Sequence, residues 1–167
     1  RTAVVTTIAG VLGGHEPPVP PPDSWASRPD AEVAIWTVDL EPGASWTLPA
    51  ASSGLSRSLY FYRGDTLQLE GQTVTPGHRL VLASDRAAGC RAGEAPCSLL
   101  LLQGRAIGEP VVQYGPFVMN SREEIYEAFA DYNRGAFGSW PWASDAPAHP
   151  REQGRFALHP DGRRDEP

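Results

Sequence analysis

The chain has no lysine. All 14 of its basic side chains are arginine, set against 20 acidic ones, for a net charge of −6. The arginines are scattered and form no basic stripe, which argues against nucleic acid as a direct partner. Arginine used without lysine points to GC-rich codons and so to a bacterial source. Long apolar runs are missing as well. Ser98–Leu102 is too short to cross a membrane and reads as a buried strand. No signal-peptide pattern stands at the start, and the expected location is the cytoplasm. The first residue is Arg1 and not Met, so the chain is expected to be a piece of a longer protein. Cysteine is scarce: Cys90 and Cys97 flank Arg91–Pro96 with no histidine between them, and by themselves cannot complete a tetrahedral metal site. They read as free, reduced thiols in a surface loop. A loop-closing disulfide or a redox role are the alternatives.

Helical periodicity is absent from the first two thirds of the chain, which excludes a parallel sheet with crossover helices. Short strand signals stand in its place. Ala3–Ala9 is rich in β-branched residues, and Val33–Leu40 (VAIWTVDL) is apolar on both faces. Ser45–Leu48, Leu59–Arg63, Thr66–Glu70, Arg79–Ala83 and Ser98–Gln103 follow, separated by Gly, Pro and Asp turns. Pro17–Pro22 reads as a stiff connector. Seven or so short strands at this spacing predict a β-sandwich or barrel.

One helix is expected, at about 121–134. Ser121-x-x-Glu124 is a capping box, Ile125, Phe129 and Tyr132 share one face, and Gly135 supplies the stop. Its apolar stripe should dock on the β-domain. Glu123 and Glu124 are adjacent and diverge, so capping explains them better than paired-carboxylate chemistry. Trp140-Pro141-Trp142 reads as a pin for a C-terminal segment rather than a binding platform. Residues 143–167 are poor in apolar side chains and are expected to form a disordered tail.

The stretch Gly104–Phe137 resembles the closing segment of the pirin family, carried by Glu109-Pro110-Val111-Val112, Gly115-Pro116-Phe117-Val118-Met119-Asn120 and the capped helix. Weaker agreement runs back through Tyr60–Gly64, Val33–Gly43 and Ile8–Gly10, so the resemblance spans residues 1 to about 142. It implies an all-β fold, a cupin-type double-stranded β-helix or jelly-roll barrel with one C-terminal α-helix. It also implies a bicupin parent of which this is the second barrel. Gln113 and Tyr114 then become candidates for polar packing between the halves.

Cupins hold metal through His-x-His, a Glu and a later His, because a divalent ion needs convergent imidazoles and a carboxylate. Here the paired histidines would fall near Pro49 and Ala51, and Ala50–Arg63 contains no His, Asp or Glu. His78 alone could imitate the later histidine, while His15, His149 and His159 read as solvated. No catalytic, cofactor or metal residue is therefore expected in this chain. By the resemblance, iron or another divalent metal belongs to a missing N-terminal cupin, which is the expected partner. The parent would then be similar to quercetin 2,3-dioxygenases or to redox-linked regulatory proteins, with a further protein partner open. The alternative is a stand-alone small-ligand module, with Trp36, Trp46, Tyr60 and Tyr62 as apolar walls. No phosphate loop or nucleophile elbow is present.

Overall fold

A computed structural model describes residues 1–138, 140, 150–159 and 161–166. Pro141, Trp142 and His149 lie outside the described residues. The chain divides into two compact units, Arg1–Glu109 and Pro110–Pro167.

The first unit carries nine strands among the described residues: β1 (Ala3–Ala9), β2 (Ala34–Leu40), β3 (Ser45–Leu48), β4 (Ser56–Arg63), β5 (Leu67–Leu69), β6 (Gln72–Val74), β7 (His78–Val81), β8 (Ala88–Ala92) and β9 (Cys97–Gly104). Five form an antiparallel sheet in the order β1-β2-β9-β4-β7, and four form a second in the order β3-β8-β5-β6. One apolar core joins them. The larger sheet contributes Trp36, Val38, Leu40, Leu59, Phe61, Leu99 and Leu101; the smaller contributes Leu48, Leu67, Leu69, Ala88, Cys90 and Ala92. Large side chains on one sheet thus meet small ones on β8, which keeps the interior filled. This is the expected all-β jelly roll.

Several strands are apolar on both faces, as the sequence suggests, and the register says which side is which. Opposite the core set, β2 presents Ile35, β9 presents Leu100 and Leu102, and β4 presents Tyr60 and Tyr62. β6 and β8 are additions to the strands read from sequence.

Cys90 and Cys97 correct the surface-loop reading. Both are free and buried, at 4% and 1% exposure, on the inner faces of β8 and β9. Their thiols donate weakly to the carbonyls of Trp46 and Thr66, each at 3.3 Å. They serve as small core hydrophobes, a common use of cysteine.

The second unit opens with a hairpin, β10 (Val112–Tyr114) and β11 (Phe117–Met119), turned by Gly115-Pro116 with Gly115 at φ +57°. Gln113 and Tyr114 thus lie on a short antiparallel ribbon. The helix α1 (Arg122–Asn133) follows, with its capping box formed: the Ser121 hydroxyl accepts from the Glu124 amide, and the Glu124 carboxylate accepts from the Asn120 and Ser121 amides at 2.9 and 2.8 Å. The apolar stripe meets this hairpin. Phe117 stands edge-on to Phe129 at 5.0 Å, and Tyr114 does so at 5.6 Å. Ile125 and Ala128 are the buried members of the stripe, whereas Tyr132 is exposed. In the stretch expected to be a tail, the described residues carry a 3-10 turn at Arg151–Gln153 and a two-residue ladder, β12 (Ala157–Leu158) with β13 (Arg164–Asp165).

Three outcomes are expected. Burial pushes the Cys90 thiol up to about 11 and raises Cys97 as well. An unfolded thiol titrates near ~8.5, so the stability tied to keeping both protonated is complete below that pH and falls away as pH rises through about 11. Urea unfolding across this alkaline range should show the decline, and Cys90→Ala should show less of it. Native thiols should also resist iodoacetamide at neutral pH and react once the chain is unfolded. In the second unit, Ser121→Ala should cost roughly 1 kcal/mol, read as faster hydrogen exchange at the Glu124 amide.

Candidate functional site

The mouth of the sandwich is built where β1 ends and β3 runs out into the loop after Leu48. Gly10 sits at φ +80°, and a Cβ there would lie 2.5 Å from the Val33 carbonyl, so only glycine fits. The Trp36 indole donates to the Gly10 carbonyl at 3.0 Å, which fixes the ring beside that turn. Beyond it opens a cavity of about 570 Å³, lined by Val11, Leu12, Val33, Trp36, Pro49 and Ala51 among others, with Arg57 and Gln103 also facing it.

Arg57 dominates the chemistry of this space. It shares the inward face of β4 with Leu59 and Phe61 and is only 2% exposed. Its Nε donates to Gln103 Oε1 at 2.7 Å, and its Nη1 donates to the Pro49 carbonyl at 2.9 Å and the Arg86 carbonyl at 3.4 Å. Gln103 lies directly across the β4–β9 ladder, and its own Nε2 donates to the Glu32 carbonyl at 3.1 Å. Burial lowers the Arg57 pKa from its ordinary value, with the charge of Glu32 acting in the opposite sense. An arginine so shifted is still a cation at neutral pH.

The rim is tied down by two further polar groups. The buried Ser84 hydroxyl donates to the Ser52 carbonyl at 2.8 Å and accepts from the Leu55 amide, while its carbonyl takes the Ala51 amide. Glu32, at φ 44°, accepts from the Ser52 amide and lies 3.4 Å from Arg105. Hydrogen bonds from Ser52 hold its carboxyl below the usual range, with Arg105 adding to the effect.

One carboxylate, that of Glu32, lines this cavity, and no histidine or cysteine does. Pro49 and Ala51 line the cavity where the cupin histidines would stand, and neither side chain offers a donor. A buried guanidinium faces the same space and repels a cation. Among the described residues no group of three or more His, Cys, Asp or Glu converges. His78 is exposed on β7, its Nδ1 within 2.9 Å of the Thr75 carbonyl, and His15 sits in a tight turn bridged to Leu12. His159 contacts Asp165 at 2.8 Å in the second unit.

The four aromatic residues read as walls do not form one pocket. Trp36 lines the cavity. Trp46 lies on β3 in the other sheet, packed partly against the core. Tyr60 and Tyr62 lie on the opposite face of β4 from Leu59 and Phe61, and Tyr62 is exposed. The correction is one of strand parity. Of the family-like segment, Pro110, Gly115, Pro116, Phe117, Met119 and Asn120 belong to the second unit, where they build the hairpin and helix entry, and Glu109 closes the first. Arg57 escaped the sequence reading. Its signal was there, a charge two and four residues before Leu59 and Phe61 on an inward-facing strand parity.

The family model of the Pirin C-terminal cupin domain matches residues 35–138. A putative quercetin 2,3-dioxygenase of Vibrio cholerae is 42% identical over 110 residues, which are 66% of this chain and 37% of that protein. Human pirin is 32% identical over 103 residues, 59% of this chain and 35% of the relative. A crystal structure of quercetin 2,3-dioxygenase from Acinetobacter baumannii superposes with a TM-score of 0.64 at 25% identity, over 81% of this chain and 44% of that one. The chain thus spans less than half the length of these relatives. Jelly-roll core, capped helix and family match agree: the chain belongs to the pirin family, as a C-terminal cupin domain.

Proposed function

We propose that this domain is the metal-free half of a bicupin, and that it docks beside and shields a metal-binding N-terminal cupin of the same bacterial, cytoplasmic parent. The chemistry of that parent, quercetin dioxygenase-like or redox-linked and regulatory, would reside in the other half, with iron or another divalent metal as its cofactor. The carrying observation is the Arg57 guanidinium facing the cavity beside Pro49 and Ala51, where cupin ligands would converge. A site so lined packs and hydrogen-bonds instead of coordinating.

Two further observations support the docking role. The relatives are more than twice as long as the segment this chain matches. The outer face of the five-stranded sheet is apolar across several strands, with Ile8 on β1 and Val81 on β7 exposed, and Leu102 between them on β9 at 37% exposure. A sheet apolar on both faces calls for a cover on the outer one. No helix among the described residues is long and apolar enough to cross a membrane, so a protein partner is the cover we assign.

Co-expression of the chain with the upstream half of its parent gene tests this reading. The two should copurify in equal amounts, and quercetin turnover should require the upstream half. Leu102→Glu, on the outer face, should weaken association roughly tenfold or more while leaving the melting temperature of the isolated chain within a few degrees. Turnover by this chain alone, or association indifferent to Leu102→Glu, would refute the proposal.

A further inference from the structure

The cavity at the mouth holds a charge that its surroundings do not balance. We propose that it is a carboxylate-binding pocket, in which Nη2 of Arg57 receives the anionic end of a compact apolar acid. This goes beyond the docking role and concerns a different face of the domain.

The argument is an accounting of donors. Arginine has one N–H on Nε and two on each terminal nitrogen. In Arg57 the Nε proton goes to Gln103, and the two on Nη1 go to the carbonyls of Pro49 and Arg86. Nη2 has no protein hydrogen-bond partner among the described residues and opens onto the cavity, within reach of water. All three of the acceptors that hold the guanidinium are neutral amide oxygens. They fix its position and leave its charge uncompensated.

A guanidinium on a cavity wall with a free terminal nitrogen is suited to an anion. The carboxylate that acts on Arg57 through space is Glu32. Glu32 is itself engaged by the Ser52 amide and by Arg105, so its charge is already shared with a second guanidinium. No ion pair joins Glu32, or any other described carboxylate, to Arg57 within bonding range. Nη2 is the donor an incoming anion would engage, through the short, strong bond a charged acceptor makes with a charged donor.

The walls specify the rest of the ligand. Trp36 has spent its indole N–H on the Gly10 carbonyl and offers the cavity only an apolar ring. Val11, Leu12, Val33 and Pro49 add no donor from their side chains, while Thr47 adds a hydroxyl and Glu32 a carboxylate that the ligand's own carboxylate must avoid. About 570 Å³ falls in the range of small-molecule sites and admits a single ring with its carboxylate. Because Nε and Nη1 are committed, the acid is held by Nη2 alone, end-on rather than in a two-pronged clamp. Neutral isosteres lose the charge and gain nothing in return.

Benzoate and benzamide are the probes, titrated calorimetrically into the intact chain with thermal melting in parallel. Benzoate should bind and raise the melting temperature; benzamide should bind at least tenfold more weakly. Arg57→Met keeps the bulk and removes the charge, and should weaken benzoate by roughly 30-fold or more. Gln103→Glu is nearly isosteric and supplies an internal carboxylate beside Nε. It should also weaken benzoate, and it keeps the test decisive if Arg57→Met fails to fold. Absence of benzoate binding at about 10 mM, a range that would detect even weak affinities, would overturn the proposal. So would equal binding of benzamide, or benzoate affinity unchanged in Gln103→Glu. Because binding is read on this chain alone, the result is separate from the fate of the docking assay.

Discussion

The guanidinium of Arg57 is the constraint around which the rest of the mouth is arranged. It bridges the two sheets' worth of surroundings without an ionic partner: Gln103 on the neighbouring strand, the Pro49 carbonyl at the exit of β3, and the Arg86 carbonyl before β8. A group of this kind is costly to bury unless its hydrogen bonds are supplied. The carbonyls that supply them belong to segments that would otherwise be free to spread, so the same contacts close one end of the sandwich. Ser84 does the equivalent work for the loop at Ser52 and Leu55. An arginine and a serine thus draw the segments of this region together, and the side chains of Pro49 and Ala51 add no donor.

The faces of the larger sheet divide the domain's tasks. Its inner face, from Trp36 through Leu101 and Phe61, is closed against small side chains on β8 and needs nothing more. Its outer face keeps Ile8, Leu102 and Val81 partly or largely in solvent. A covered outer face and a charged, open mouth would then be two separate functional surfaces of one domain, one for assembly and one for a small acid. The second unit repeats the pattern of local closure, its helix stripe meeting the ring of Phe117 from its own hairpin.

Much of the fold was legible because β-branched and aromatic residues announce strands. Val33–Leu40 and Ser98–Gln103 came through to within a residue or so of β2 and β9, and Ser121 with Glu124 announced the helix. β8 did not, because Ala-Gly-Cys-Arg-Ala has no strand-forming signature; its small inner residues make sense only against the Leu and Phe of the facing sheet. The β10–β11 ribbon was hidden by its length and by Gly115-Pro116 between its strands. The site was harder still. With Leu59, Tyr60, Phe61 and Tyr62 in a row, composition cannot fix which alternate pair faces inward, so the sequence alone offers Tyr60 and Tyr62 as pocket walls and gives no place to Arg57. Parity along β4 decides both, and parity follows from register with β9 and β7. The lack of His, Asp and Glu in Ala50–Arg63, by contrast, is a matter of residue identity and needs no coordinates.

The central claim is that the cupin mouth of this domain is organised by a guanidinium and not by a divalent ion. Its most direct test is the metal content of the purified chain after anaerobic incubation with excess ferrous iron and removal of the unbound ion. The account predicts far less than one metal per chain, unchanged when His15 and His78 are both replaced by alanine. One tightly held iron per chain, lost in that double variant, would contradict it.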